Sequence, residues 1–314
     1  MLSVDRMRVL HAIAMSGSLS GAAATLHVTN SAVSQQLSKL EREVGQPLVE
    51  RNGRGVRLTE AAEILVRHTG EILSLVRQAE SEVEAHREEV IGHVVLSSVA
   101  TAARDIVPSA LRTLADGFPG LRVELREGEP DVTVSAVDRG DSDLAIVIDW
   151  AGAPLSLPEG VQRAALIEDV ADIALPVDHP LAYRESLDLD EVLRERWIGW
   201  SHGSICSDWL HHMVRARGVE PVIVHAAEEH QTRLALVAAG LGAAVMPRLG
   251  VGLPPPGVRL VPVRPALARH VYAFWRSENG RRPAIRATVR ALRDAADTYA
   301  ARHPLTTGPL TQVN

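Results

Sequence analysis

From Thr59 to Glu89 the chain runs without a proline or a cluster of turn formers, and Gly70 is its only interruption. Ala61, Leu65, His68, Ile72, Leu75, Ala79, Glu82 and His86 step along it by four and three, which is heptad spacing with a good apolar seam in the first half only. A helix of about 30 residues would be about 45 Å long. That is too long for the core of a small domain and suits a dimerising rod; a solvated single helix is the alternative. The rod divides the 314 residues into a short head and a long body, and their patterns differ.

In the head, Met7, Leu10 and Ile13 share one side of a helix over 4–16. Ser18 can cap a second helix through Leu26, and Thr29 a third, which runs to about Val44 and is closed by Gly45. Val33, Leu37, Leu40 and Val44 form the core stripe of the third helix. Two short helices joined by His27-Val28-Thr29 fit a helix-turn-helix. Residues 47–58 then hold two strand-like ends around Asn52-Gly53, a hairpin signal that reads as a wing.

Charge gives the head a function. The chain carries a net charge of −6, yet residues 1–58 hold seven basic side chains against four acids, a net of +3. A cationic segment on an acidic body points to a polyanion partner. The third helix turns Asn30, Ser31, Ser34, Gln35 and Ser38 away from its apolar stripe. Such side chains can read base edges in a major groove. Arg51 and Arg54 flank the wing turn, where guanidinium groups can clamp phosphates, and Thr29 and Lys39 of the third helix complete the expected DNA-binding set. Double-stranded DNA is the expected partner.

After Gly92, strand-like and helical segments alternate: strands at 93–98, 121–127 and 143–148, helices from about Arg104 and near 131–139. A second set follows, with strands at 165–176, 197–200, 222–226 and 243–246 and helices at 205–217 and 229–239. Residues 258–263 and 270–276 read as returning strands and 283–302 as a final helix. Short, wholly apolar runs such as Leu144–Ile148 imply a parallel sheet under helices. Ligands of open α/β sheets bind at the carboxyl ends of strands, where helix N-termini favour anionic groups. That logic picks Ser98 and Thr101 after one strand, Ser201 and Ser204 after another, and with less weight Gln231 and Thr232 after a third. Each of these could equally be a plain helix cap.

Residues 18–65 resemble the signature of the LysR-type transcriptional regulators. The matching positions are Ala22-Ala23, Ala32-Val33-Ser34, Leu40-Glu41, Gly45, Arg51 and Leu58-Thr59-Glu60-Ala61. Asn30 stands where the family usually has Gln, and Val49 where Phe is common. Looser likeness extends through His179-Pro180-Leu181-Ala182 and residues 237–248. The resemblance implies a winged helix-turn-helix, a linker helix and two Rossmann-like α/β subdomains like those of type II periplasmic binding proteins. It further implies a small-molecule effector held between the subdomains, and dimers that pair into tetramers on an interrupted inverted repeat. The corresponding domains are 1–58, 59–89 and 90–303, with subdomain I at about 90–162 and 266–303, subdomain II at about 163–265, and a flexible tail at 304–314.

Other motifs compete. Gly199-Trp200-Ser201-His202-Gly203 matches the G-x-S-x-G pattern of serine hydrolases, with Glu228, Glu229, His230 and His270 as conceivable partners. A hydrolase fused to a DNA-binding module is therefore the alternative; the preferred reading names no catalytic residue, metal or cofactor. Gly240-Leu241-Gly242 lies between a helix and a strand, the reverse of a dinucleotide fingerprint, and reads as helix termination. Cys206, the single cysteine, falls where the family's peroxide-sensing branch carries its reactive thiol, but no second cysteine exists to resolve a sulfenic acid. No apolar run reaches a membrane span and the N-terminus lacks a secretory signal, so a cytoplasmic protein is expected.

Overall fold

The computed structural model describes residues 2–52, 55–85 and 89–303. Contacts separate them at residues 86 and 87 into two compact units. The first contains α1 (Val4–Ser16), α2 (Leu19–Thr25), α3 (Asn30–Val44), a hairpin of β1 (Val49–Asn52) and β2 (Gly55–Leu58), and α4 (Glu60–Ala85). Its core is the expected one: Met7, Leu10 and Ile13 of α1, Ala22 and Ala23 of α2, Val33, Leu37 and Leu40 of α3, with Leu48 beneath the hairpin. Ser18 and Thr29 cap α2 and α3 by accepting the amides of Gly21 and Ala32.

Polar bonds fix the connections between these helices. The Glu41 carboxylate accepts the Leu48 amide at 2.9 Å, which sets the path from α3 into the wing. The Thr59 hydroxyl donates to the Pro47 carbonyl at 3.0 Å, and its oxygen accepts the Ala62 amide at 3.3 Å. One threonine thus closes the hairpin and starts α4. The turn between α2 and α3 is tighter. Val28 N–H bonds to the Ala23 carbonyl at 3.0 Å and His27 N–H to that of Ala24 at 3.3 Å. That pairing requires a left-handed residue at position 27, a place usually given to glycine. Here it is His27, at φ 53°.

The last paired residues of the wing are Asn52 and Gly55; Gly53 and Arg54 lie outside the described residues. On α4 Ala62, Thr69 and Leu73 are buried on the side where α1 packs, and Ala61, Leu65 and Ile72 of the heptad seam are half-buried against the same core. Leu75 of the expected seam is exposed, as are Ile64 and Val83. His86 and the tail at 304–314 fall outside the described residues.

The second unit contains β3 (Gly92–Ser98), α5 (Ala100–Asp105), α6 (Val107–Gly117), β4 (Leu121–Glu127), α7 (Pro130–Arg139), β5 (Leu144–Trp150) and β6 (Val161–Pro176). It continues with β7 (Leu187–Asp188), β8 (Arg196–Gly199), α8 (Ile205–Arg215), β9 (Val222–Ala226), α9 (His230–Ala238), β10 (Ala244–Pro247), β11 (Val258–Val261), β12 (Val263–Arg264), β13 (Leu267–Arg276) and α10 (Pro283–Arg302). The helix expected from Arg104 is two helices, divided just before Pro108, and the returning strand at 258–263 divides at Pro262, which has no amide to give a ladder.

The main sheet has the order β10-β6-β13-β5-β3-β4, with β11 added along β6. β3 runs parallel to β4 and β5, as the apolar runs imply, but β13 runs antiparallel to both β5 and β6. β8 and β9 form a parallel pair, and β8 reaches the start of β10 through two 2.8 Å bonds between Ile198, Ala243 and Arg196. Strands β3–β5 with α5, α6, α7 and α10 make one lobe; β8–β10 with α8 and α9 make the other. The long strands β6 and β13 run through both.

Replacing His27 by glycine removes a Cβ from a left-handed position, and is expected to stabilise the protein by about 1 kcal/mol, net of glycine's own chain entropy. Urea unfolding monitored on a probe in the first unit checks this; an unchanged or lower midpoint would contradict the assigned turn.

Candidate functional site

The first unit presents one continuous polar face. Thr29, Asn30, Ser31, Ser34, Gln35, Ser38 and Lys39 are all exposed, while Val33, Leu37 and Leu40 on the opposite side of α3 are buried. The buried stripe fixes the rotation of the helix, so the exposed set follows from packing. The Thr29 hydroxyl is committed to capping and lies 2.9 Å from that of Ser31, so it positions the helix start. Acids are kept away from this face. Glu43 pairs with Arg6 at 2.5 Å, Glu50 with Arg57 at 2.9 Å, and Glu41 is engaged by Leu48. Among the described residues Lys39 and Arg8 have no acidic partner and stay available to an anion. Arg51 lies on β1 opposite Val56; Arg54 is outside the described residues.

In the second unit the six effector candidates divide. Ser98 is fully buried and donates to the Val99 carbonyl at 3.1 Å, so it braces the end of β3. Thr101 is buried too, and its oxygen accepts Nη2 of Arg269 at 3.2 Å. Ser201 is exposed, and its amide donates to Glu228 at 2.7 Å. Ser204 caps α8 through the Ser207 amide. Exposed Thr232 donates its hydroxyl to Glu229, the residue that caps α9. Gln231 donates to the Val251 carbonyl at 3.3 Å. The structure thus draws Thr101 and Ser201 toward charged partners and spends Ser204 and Thr232 on helix ends.

Those charged partners are what residue-by-residue reading missed. Arg269 of β13 pairs with Asp169 of β6 at 2.7 Å, and both are almost wholly buried. The two are directly opposite in the strand register. Asp169 accepts the Leu249 amide at 3.1 Å with its other oxygen. A buried pair is tolerated only when its remaining valences are met, and here they are. Beside it stands an aromatic cluster: Trp150 stacks on Trp209 at 3.7 Å and meets Trp200 edge-on at 6.3 Å. The Arg269 guanidinium lies 5.9 Å from the Trp150 ring, and that of Arg233, which is fully buried, lies 4.1 Å from the Trp200 ring. Gly250 (φ 77°) passes so close to Thr101 that a Cβ there would stand 2.6 Å from the Thr101 Cα, so only glycine fits.

Burial governs the protonation of this region. Burial, aided by the charges of Arg233, Arg269 and Arg104, lowers His230 to about 2. Burial also pulls Arg233 down to about 10, still a cation at neutral pH. Glu129, at the start of α7, is pushed up by burial and then by the charge of Glu228. The Cys206 thiol is raised by burial and receives a hydrogen bond from Trp150 Nε1 at 3.5 Å. It is held as a thiol within the aromatic cluster, the opposite of the low-pKa setting a reactive cysteine needs.

Sequence signals for these residues did exist. Leu267, Arg269 and Val271 are alternate positions of one strand and all face inward, so Arg269 occupies a core position by period two. Arg233 shares the buried side of α9 with His230, Leu234 and Val237. A charge on an apolar face was the mark to follow.

The competing motifs do not assemble. The histidines named for a hydrolase are engaged elsewhere: His230 with Arg233, and His270 with Asp149 at 2.7 Å and Glu168 at 3.3 Å. Five residues separate the end of β8 from α8, so Ser201 is not at a tight strand-to-helix elbow. Gly240 takes φ 73° after α9, as helix termination requires. Among the described residues no group of three or more His, Cys, Asp or Glu is placed to hold a metal, and no helix is long and apolar enough to cross a membrane.

Comparison with known proteins agrees with this division. Residues 4–63 match the model of the bacterial regulatory helix-turn-helix proteins of the lysR family, and residues 87–297 match that of the LysR substrate binding domain. The chain is 30% identical to the HTH-type transcriptional regulator IlvR of Caulobacter vibrioides, over 83% of this chain and 87% of that protein. It is 26% identical to the uncharacterised HTH-type transcriptional regulator YybE of Bacillus subtilis, over 78% and 82%. Among solved structures, a full-length OxyR variant from Pseudomonas aeruginosa superposes with a TM-score of 0.68 at 22% identity, covering 93% of this chain and 95% of that one.

Truncating Arg269 to alanine strands Asp169 in the core and is expected to cost about 3–5 kcal/mol, whereas Thr101→Val removes one hydrogen bond and costs about 1 kcal/mol. Chemical denaturation measures both, and equal losses would show that the ion pair is not the anchor. His230 adds a pH dependence. Its folded value lies below the unfolded 6.5, so its contribution is complete above that value and is lost as pH falls toward about 2. Going from about pH 7 to about pH 5 should cost about 2 kcal/mol through this residue, and His230→Gln should flatten that part of the profile. A profile unchanged by the substitution would show that the imidazole is not held neutral.

Proposed function

The chain belongs to the LysR family of bacterial transcriptional regulators, and from that premise we propose which residues read DNA and which receive the signal. The protein is a transcriptional regulator with a DNA-binding helix-turn-helix domain and an effector-binding domain. In our reading α3 enters the major groove. Asn30, Ser31, Ser34, Gln35 and Ser38 meet base edges, and Lys39, Arg51 and Arg54 meet phosphates on either side. The amides at the start of α3, ordered by Thr29, point to a phosphate. The observation that carries this reading is the exposed Thr29–Lys39 face, held in place by the buried stripe behind it. Asn30 can bond an adenine edge as Gln does, on a shorter arm, so base preference at that position would differ from that of relatives with Gln.

A regulator of this kind needs two heads. The exposed Ile64, Leu75 and Val83 on α4 are apolar positions without cover among the described residues, and they support pairing of α4 with a second copy. Dimers, or pairs of dimers, would then span half-sites about one helical turn apart. The effector site in this reading is the cleft between the two lobes of the second unit. It is formed at the ends of β3, β8 and β9, with Thr101 and Ser201 at its edge and Arg233 and Trp200 at its base. β6 and β13 cross from lobe to lobe, so a ligand touching both lobes would bias the bend between them. Coupling of about 1–3 kcal/mol gives about a 5–150-fold change in operator affinity.

Selection of bound genomic fragments gives the operator, and titrations on it test the assignments. Gln35→Ala and Ser34→Ala are expected to lose about 1–3 kcal/mol of discrimination at one base position each, with affinity for random duplex kept. Arg51→Ala and Lys39→Ala should weaken binding to every sequence and lower the salt slope by about 1 each. Unchanged base preference in the first pair, or unchanged slopes in the second, would remove those residues from the interface.

A further inference from the structure

We propose that the effector is a small zwitterion of the α-amino-acid class, its carboxylate held by Arg233 and His230 and its ammonium by Glu228 and Glu129. The inference rests on the reading of the inter-lobe cleft as the effector site and names the chemistry that this cleft would select.

His230 and Arg233 lie three residues apart on the buried side of α9, 6% and 0% exposed. Nη2 of Arg233 approaches Nδ1 of His230 at 3.3 Å. A guanidinium can only donate, so Nδ1 must be the acceptor. The ring is neutral, and its single hydrogen therefore sits on Nε2. Nη1 of Arg233 is used by the Val245 carbonyl at 3.4 Å. Two nitrogens, Arg233 Nε and His230 Nε2, are buried and have no hydrogen-bond partner at all among the described residues. Buried N–H groups without a partner, one of them on a cation, favour an anionic group such as a carboxylate.

The acceptors point the other way. Glu228 gives one oxygen to the Ser201 amide; its second oxygen is buried and has no partner. Glu129, from the opposite lobe, is close enough to feel that charge, which raises its carboxyl. Arg233 interacts with both acids, but a single guanidinium cannot offset two carboxylates, and Arg269 is already committed to Asp169. An ammonium between Glu228 and Glu129 supplies the missing charge. A dicarboxylate would satisfy the donors and be repelled by the acids. A simple amine would do the reverse. A molecule carrying both groups meets the unpaired atoms of Arg233, His230 and Glu228 and the charge of the two acids, so the anionic preference drawn from helix ends describes half of the ligand. Glu129 and Glu228 also belong to different lobes, so the ammonium would draw the lobes together.

The test uses purified full-length protein and thermal shift against three probe sets: the common L-α-amino acids, their 2-oxo acid counterparts, and the amines formed by their decarboxylation. At least one amino acid should raise Tm, with its 2-oxo acid and its amine giving little or no shift. Titration calorimetry should then show Glu228→Gln binding that amino acid about 10–100-fold more weakly, because glutamine keeps an acceptor for Ser201 and loses the charge. Glu129→Gln, on the other lobe, should weaken it as well and guards against misfolding of the first variant. A shift by 2-oxo acids alone, by amines alone, or only by the low-molecular-mass fraction of a cell extract overturns the zwitterion while leaving the cleft as an effector site. Absence of any shift from all probes and from the extract overturns both. A shift that survives both glutamine variants overturns the assigned acids.

Discussion

The body of this regulator is organised around one buried ion pair. Asp169 and Arg269 face each other on the two strands that run through both lobes, and each spends its remaining valence on a different part of the cleft. Asp169 holds the Leu249 amide, after β10; Arg269 holds the Thr101 hydroxyl, in α5. Loops from opposite lobes are thereby referenced to one point in the core. A hydrophobic pair of similar volume could stabilise the sheet as well. It could not position a polar threonine on one lobe and a backbone amide on the other.

The head is built on a comparable economy of polar groups. Glu41, Thr59 and Thr29 each direct the chain at an element boundary: from α3 into the wing, from the wing into α4, and into the start of α3. Glu41 and Thr59 are among the positions at which the chain resembles the regulator family, and the structure gives a reason: unpaired amides and carbonyls at tight turns are costly. The alanines of α2 are small because a larger side chain would part it from α1 and α3. The residues proposed to read DNA face outward because nothing in the fold uses them.

How legible each site was follows from where its signals lie in the chain. The recognition face could be read because it is a property of one helix: three buried apolar positions fix the rotation, and the polar residues between them must face outward. The helix α4 was harder to read, since its heptads do not say which side its own unit covers. Ala61, Leu65 and Ile72 of the seam are half-buried, and packing against α1 also takes Ala62, Thr69 and Leu73. Capping residues misled in the body for a related reason. Ser204 and Thr232 sit at helix starts, where a hydroxyl has a local use that needs no ligand.

The sequence by itself determined the helices and turns of the head, its cationic face, and the alternation of strands and helices in the body, because period, capping and glycine placement act over a few residues. Tertiary structure alone decided what fills the cleft. Glu129, Asp169, the Glu228–Arg233 stretch and Arg269 come from four separate points of the chain, and burial shifts the protonation of Glu129, His230 and Arg233. A hydrogen-bond partner, a lowered imidazole pKa and a raised carboxyl pKa depend on distances through space, and no spacing along the chain encodes them.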